Sequence, residues 1–122
     1  MASRHLISIV DDNDAVRESL GDLIRSLGYK VATFASAEDY LDSDCLHETS
    51  CLVTDVQMPG MTGVDLQERL IADGCATRII FMTAYRNEKL RSRAMNAGAI
   101  GFLYKPFGDD CLIAYLNKAL QA

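Results

Sequence analysis

The chain has 122 residues, of which 49 % are hydrophobic and 24 % charged, and these values suit one well-packed globular domain rather than a disordered segment. No apolar run approaches the roughly 18 residues that span a bilayer, and the N-terminus lacks the pattern of a secretory signal, so we expect a cytoplasmic domain without membrane contact. The formal net charge of −5 argues against a nucleic-acid-binding domain, which needs a basic face.

Short apolar runs alternate with amphipathic stretches along the chain, beginning with a strand predicted at Leu6–Val10. This run is apolar almost without alternation, which is typical of a strand buried on both faces. The next stretch places apolar residues at helical spacing, namely Val16, Leu20, Leu23, Ile24 and Leu27. Gly28 is expected to end this helix, and Asp14, which directly precedes the periodic residues, is expected to cap its start.

The same alternation continues to the C-terminus. Further strands are predicted at Lys30–Phe34, Cys51–Thr54, Arg78–Met82 and Gly101–Tyr104. A short helix capped by Ser36 follows the second strand, and a helix from about Val64 to Asp73 follows the third strand after a turn on Pro59, Gly60 and Gly63. The two remaining helices are predicted from apolar residues at helical spacing, which are Leu90 and Ala94 in one and Leu112, Ile113, Leu116 and Leu120 in the last. Five strands alternating with five helices predict an α/β fold, a parallel sheet with helices on both faces.

Polar side chains stand directly after four of the predicted strands. Asp11 and Asp12 follow the first strand, Asp55 the third, Thr83 the fourth and Lys105 the fifth. Ligands of open α/β sheets bind at the carboxyl ends of the strands, so we expect these five residues to meet at one edge of the sheet. Each alone has an ordinary explanation as a helix cap, a turn residue or a solvated lysine. Their joint placement favours a site.

The chemistry of this set is that of phosphoryl transfer. Clustered carboxylates need compensating positive charge, and Mg²⁺ binds one or two carboxylates while keeping waters for other ligands. The ammonium of Lys105 and the hydroxyl of Thr83 suit anionic phosphoryl oxygens. A carboxylate can itself be the nucleophile and form an aspartyl phosphate.

Four sequence blocks resemble the receiver domain of bacterial two-component response regulators. They are IVDDND at 9–14, TDVQMPGMTG at 54–63, MTAY at 82–85 and AGAIGFLYKPF at 97–107. The resemblance spans the whole chain and is greatest to nitrogen-fixation-type transcription regulators. It implies a (βα)5 doubly wound fold with strand order 2-1-3-4-5.

The resemblance also implies roles for single residues around the acids. Asp55 matches the phosphoacceptor and, with Asp12, a direct ligand of Mg²⁺ or Mn²⁺. Asp11 would act on the metal through water, and Gln57 would offer its backbone carbonyl. The side chains of Gln57 and Tyr85 occupy positions expected to tune the lifetime of the phosphorylated state.

Four further positions match parts of the receiver switch. Thr83 matches the hydroxyl that moves toward the phosphoryl group, and Lys105 matches the ammonium that contacts it. Phe102 corresponds to an aromatic ring that turns inward on activation. The Lys105–Pro106 bond resembles the cis peptide of the family, which only X–Pro bonds form cheaply.

The function implied is a phosphorylation-dependent switch with a single receiver domain over residues 1–122. A sensor histidine kinase or phosphotransfer protein would supply the phosphoryl group, and the surface of the fourth helix, fifth strand and fifth helix would change. That surface would control an output domain outside this chain, expected to be transcriptional, or form a homodimer through the fourth helix and fifth strand. A stand-alone receiver acting through protein contacts is the alternative.

Other classes fit the residues less well. An aspartate-nucleophile phosphohydrolase uses D-x-D, but Gln57 stands at the second place and cannot act as a general acid. The glycine-rich motifs G-x-G-x-x-G and G-x-x-x-x-G-K-[ST] of nucleotide-binding folds do not occur. A degenerate receiver used only for binding would normally have lost one of the acids, the threonine or the lysine.

The remaining polar features have structural explanations. Cys45, Cys51, Cys75 and Cys111 lack metal-ligand spacing, so we expect free, mostly buried thiols in a reducing compartment. The basic residues between Arg86 and Arg93 are expected to form a solvated helix face rather than a partner site.

Overall fold

The computed structural model describes residues 5–121, in which strands and helices alternate. The strands are β1 (Leu6–Val10), β2 (Lys30–Phe34), β3 (Thr49–Asp55), β4 (Arg78–Thr83) and β5 (Gly101–Tyr104). The helices are α1 (Asp14–Ser26), α2 (Ala37–Leu41), α3 (Gly63–Ala72), α4 (Glu88–Asn96) and α5 (Asp109–Leu120). A short 3-10 helix, Asp44–His47, which the sequence pattern did not predict, precedes β3.

All four strand pairings are parallel, and the strand order is β2-β1-β3-β4-β5, which confirms the predicted fold class. Alternate residues of the strands point to opposite faces, so the sheet has two hydrophobic cores. Side chains from α1 and α5 pack on one face, for example Ile24 and Leu116. Side chains from α2, α3 and α4 pack on the other, for example Tyr40, Leu66 and Ala94. Covering both faces explains why the central strands are almost continuously apolar.

The N-terminus of α1 differs from the prediction. Asn13, not Asp14, is the capping residue: its backbone is extended (φ −92°, ψ 115°), and its side-chain oxygen accepts the Val16 N–H at 3.1 Å. Asp14 is already the first helical residue, and its carboxylate forms an ion pair with Arg17. The assignment of the cap to Asp14 is therefore wrong, whereas the cap of α2 by Ser36 is confirmed.

The cysteines are free but not uniformly buried. Cys51 lies in the core, where burial raises the pKa of its thiol to about 12. Cys45 and Cys75 are half-buried and Cys111 is exposed, so the expectation of mostly buried thiols is wrong. Arg93 lies on the solvent-exposed side of α4 and pairs with Glu68, as expected for a solvated helix face. Arg86 differs from the expectation, because it precedes α4 and its guanidinium lies over the Tyr104 ring, 4.3 Å from the centroid. None of the helices within residues 5–121 is long and apolar enough to cross a membrane.

Candidate functional site

The sheet brings the ends of its central strands to a common edge. Asp55 pairs with Met82 in the register of β3 and β4, and Thr83 pairs with Tyr104 in that of β4 and β5. Backbone hydrogen bonds continue past the last paired residues, because the Lys105 N–H donates to the Thr83 carbonyl at 2.7 Å. Asp11 extends β1 in the same way, donating its N–H to the Phe34 carbonyl at 3.1 Å. These hydrogen bonds therefore fix the backbone of Asp11 and Lys105 just beyond the strand ends.

Three carboxylates converge at this edge. Asp11, Asp12 and Asp55 each offer an oxygen atom, and these atoms all lie within 4.8 Å of one another. Asp11 is completely buried and Asp55 is 7 % exposed, whereas Asp12 faces solvent. A cluster of hard oxygen donors with one open side fits the preference of Mg²⁺, which keeps part of its water shell.

Lys105 supplies the positive charge next to these acids. Its Nζ donates to Asp11 Oδ2 at 3.0 Å and to Asp55 Oδ2 at 3.1 Å. Burial of the ammonium opposes its charge, but the contacts with Asp11 and Asp55 outweigh this effect and raise the pKa of Lys105. Burial also raises the pKa of Asp55, and the charge of Asp11 adds to it, while Lys105 acts in the opposite direction. Three carboxyl groups thus face a single ammonium group, and a divalent cation would supply further positive charge at this edge.

The loop after β3 approaches Asp55 closely. Gln57 donates its backbone N–H to Asp55 Oδ1 at 3.2 Å, which fixes one oxygen of the carboxylate. Gly63 donates its N–H to the Val56 carbonyl, and a Cβ at position 63 would lie 2.3 Å from the Asp55 carbonyl oxygen. Only glycine therefore lets the start of α3 pack against the backbone of Asp55.

Thr83 lies at the same edge but its hydroxyl is bound within its own loop. The Oγ1 atom accepts the Tyr85 N–H at 3.1 Å and donates to the Tyr85 carbonyl at 3.3 Å. Tyr85 itself is 68 % exposed, and the Gln57 side chain is also exposed.

Phe102 already points inward. It is 6 % exposed, and its ring centroid lies 5.8 Å from that of Phe81 and 5.5 Å from that of Tyr104. The Lys105–Pro106 peptide bond is cis. Among the predicted site residues, the structure brings Asp11, Asp12 and Asp55 into one cluster and bonds Lys105 to two of these acids. The Thr83 hydroxyl is bonded to the Tyr85 backbone instead.

The sequence interpretation missed Arg17. Its Nη1 donates to the backbone carbonyl of Asp11 at 2.6 Å, and its other terminal nitrogen pairs with Asp14. The sequence does contain a signal for Arg17: a positive charge near the start of a helix is unfavourable beside the helix dipole, which indicates that a nearby group pairs with it. That the partner includes the Asp11 carbonyl is visible only in three dimensions.

Comparisons with known proteins match most of the chain. The family described as response regulator receiver domain matches residues 7–117. The transcriptional regulatory protein FixJ of Azorhizobium caulinodans is 41 % identical over 114 residues, which cover 93 % of this chain and 54 % of that protein. The chain thus spans about half the length of the curated relatives it matches.

Two solved structures show the same fold. The response regulator StyR superposes with a TM-score of 0.87 at 41 % identity, covering 98 % of this chain and 60 % of that chain. The crystal structure of FixJ-N superposes with a TM-score of 0.84 at 32 % identity, covering 96 % of this chain and 94 % of that one.

Proposed function

The chain belongs to the response regulator receiver domain family, and from this premise we propose that Asp55 is the phosphoacceptor of a two-component signalling switch. The observation that supports the proposal is the position of Asp55 at the end of β3: its side chain is 10 % exposed, with Lys105 on one carboxylate oxygen and two further acids beside it. Receiver domains are regulatory rather than enzymatic, and Gln57 occupies the place where a phosphohydrolase needs its second acid.

In the proposed reaction an oxygen of Asp55 attacks the phosphorus atom of a phosphohistidine on a kinase or phosphotransfer protein. The new bond joins this oxygen to phosphorus, and the phosphorus–nitrogen bond breaks so that the imidazole leaves with its electron pair. Lys105 already contacts Asp55 Oδ2 and is placed to pair with the negative charge that the phosphoryl group brings. The backbone N–H of Gln57 holds Oδ1 and so restricts rotation of the carboxylate.

A divalent cation fits the acid cluster. Asp12 and Asp55 would hold Mg²⁺ or Mn²⁺ directly, Asp11 through water, and Gln57 through its backbone carbonyl. When bound, the cation supplies positive charge that offsets the negative charge of the carboxylates and phosphoryl oxygens.

Phosphorylation would act on the loop that holds Thr83. A phosphoryl group adds close to two negative charges and strong acceptor oxygens. The Thr83 hydroxyl can donate to one of them only if it leaves the Tyr85 carbonyl, which it meets at 3.3 Å. Since α4 begins at Glu88, a change in this short loop reaches α4 and the neighbouring β5, where Phe102 packs. We propose the surface of α4, β5 and α5 as the output of the switch.

The consequences outside this domain follow from the relatives. Transcriptional regulators about twice as long as this chain match it, so we propose that an output domain lies outside the chain and controls transcription. A homodimer through α4 and β5 would form on phosphorylation. We propose that the domain lies in the cytoplasm, a reducing compartment in which its cysteines would stay free.

The test is incubation with MgCl₂ and acetyl phosphate. The wild-type chain should gain an acid-stable, hydroxylamine-labile phosphate, detected as a mass increase of the intact protein, and the Asp55→Asn variant should not. A wild-type chain that gains no such phosphate contradicts the proposal, as does an Asp55→Asn variant that gains it equally.

A further inference from the structure

Arg17 folds back from α1 over the loop that carries two of the acids. It is the fourth residue of the helix, and helical side chains lean toward the N-terminus, which brings its guanidinium to the β1–α1 loop. The side chain is only 17 % exposed. One nitrogen donates to the Asp11 carbonyl at 2.6 Å, and the other pairs with the carboxylate of Asp14.

The carbonyl that Arg17 holds belongs to the peptide unit between Asp11 and Asp12. The other groups of Asp11 are fixed as well: its N–H donates to Phe34, and its carboxylate accepts bonds from Asn13 N and Lys105 Nζ. Asp12 is exposed, so few neighbouring groups hold its side chain in place. The direction in which its Cα–Cβ bond leaves the backbone therefore depends mainly on the orientation of this peptide unit. The guanidinium therefore sets where the exposed acid of the cluster can point.

We propose that Arg17 is a positioning residue of the cation site, which it serves by fixing the Asp11–Asp12 peptide. The proposal rests on the proposed function, because it assumes that the acid cluster binds Mg²⁺. Groups that orient the ligands of a metal are worth about tenfold or more in metal affinity.

If Arg17 only formed a surface ion pair with Asp14, its removal would have the opposite effect on Mg²⁺ affinity. Removing a positive charge near three carboxylates strengthens their attraction for a cation, so loss of charge alone would tighten Mg²⁺ binding. Loss of positioning weakens it. The direction of the change in affinity therefore distinguishes the two roles.

Arg25 provides a matched control on the same helix. It pairs with Asp22 at i,i+3, as Arg17 does with Asp14, but it is 54 % exposed, lies in the last turn and forms no hydrogen bond or ion pair with Asp11, Asp12 or Asp55. Each arginine pairs with an aspartate three residues earlier on the helix, and the pair of Arg25 is the solvent-exposed kind that is worth little to stability. Arg25→Gln removes the same charge from the same helix without touching the Asp11 carbonyl.

The experiment is calorimetric titration of MgCl₂ into the wild type, Arg17→Gln, Arg17→Lys and Arg25→Gln, with melting temperatures measured alongside. We expect Arg17→Gln to bind Mg²⁺ about tenfold more weakly and Arg25→Gln to bind like the wild type. Lysine has no fork that reaches both Asp14 and the Asp11 carbonyl, so Arg17→Lys should recover only part of the loss. The rate of phosphorylation by acetyl phosphate in Arg17→Gln should approach the wild-type rate once MgCl₂ is saturating.

Several outcomes overturn the inference. Unchanged or tighter Mg²⁺ binding in a folded Arg17→Gln variant makes Arg17 an ordinary surface residue, and equal weakening in Arg25→Gln excludes a local role. If Arg17→Gln does not fold, full wild-type affinity in Arg17→Lys refutes the need for the fork. A wild-type chain that binds no Mg²⁺ contradicts the proposed function itself, and with it the inference.

Discussion

Replacing Gly63 by alanine tests how closely α3 must approach the phosphoacceptor. An added Cβ would lie 2.3 Å from the Asp55 carbonyl oxygen, 3.1 Å from its carbonyl carbon and 3.2 Å from Val56 Cα. All three neighbours are backbone atoms, which cannot rotate away. Relief to an ordinary contact of 3.4 Å therefore requires a movement of roughly 1 Å between the start of α3 and the end of β3.

Such overpacking costs about 1–3 kcal/mol. At about 4 °C per kcal/mol, the melting temperature of a domain of this size should fall by roughly 4–12 °C. The strain falls on Asp55 itself, and a misplacement of about 1 Å at a reacting group can cost about a hundredfold in rate. Gly63→Ala should therefore lose stability and phosphorylation rate together.

The control is Gly21→Ala in the middle of α1. There the added Cβ meets Arg25 Nη1 at 3.2 Å and Val31 Cγ1 at 3.7 Å, and the arginine is a flexible, exposed side chain that can yield. Alanine is favoured over glycine in a helix by about 1 kcal/mol, so Gly21→Ala should be stabilising. Thermal denaturation by circular dichroism and acetyl phosphate kinetics measure both variants. A Gly63→Ala variant as stable and as reactive as the wild type would contradict a close contact between position 63 and the backbone of Asp55.

Three further predictions concern the loops and charges of the site. Because Asn13 caps α1, Asn13→Ala should destabilise the domain by about 1 kcal/mol in urea denaturation, and Asp14→Ala should destabilise it by less. A larger loss of stability in Asp14→Ala than in Asn13→Ala would contradict the cap assignment. Burial raises the pKa of Asp55, so ionisation of this carboxyl lowers the stability of the folded domain at pH values above the ordinary carboxyl pKa. Asp55→Asn should therefore stabilise the Mg²⁺-free domain at pH 7. If the variant is equally more stable at a pH below the ordinary carboxyl pKa, ionisation of Asp55 is not the cause. Lys105→Ala should still bind Mg²⁺ in calorimetry but dimerise poorly after phosphorylation, and unaltered phosphorylation-induced dimerisation on size exclusion would count against the role of Lys105.

The sequence predicted the fold well because the central strands β1, β3 and β4 are largely buried and therefore almost continuously apolar. β1, β2 and β5 have the predicted bounds, since each apolar run ends at a polar residue or a turn. β3 begins two residues earlier than expected. Thr49 and Ser50 carry no apolar signal, and their place in the sheet depends on a shift of register beside Leu6 of β1.

Contacts between side chains and backbone were beyond the sequence. Asn13 and Asp14 are equally good capping residues by type, and only the extended backbone of Asn13 decides between them. The convergence of Asp11, Asp12, Asp55 and Lys105 followed from the ends of parallel strands. The bond from Arg17 to the Asp11 carbonyl and the bonds of the Thr83 hydroxyl to Tyr85 depend on rotamers that no periodic pattern encodes.

The identity of the phosphorylated residue can be measured directly, and we propose that it is Asp55. Borohydride reduces an aspartyl phosphate to homoserine, so reduction after treatment with acetyl phosphate and MgCl₂ followed by peptide mass spectrometry identifies the modified residue. We expect homoserine at position 55, dependent on Mg²⁺. Homoserine at Asp11 or Asp12, or none at all in the presence of MgCl₂, would contradict it.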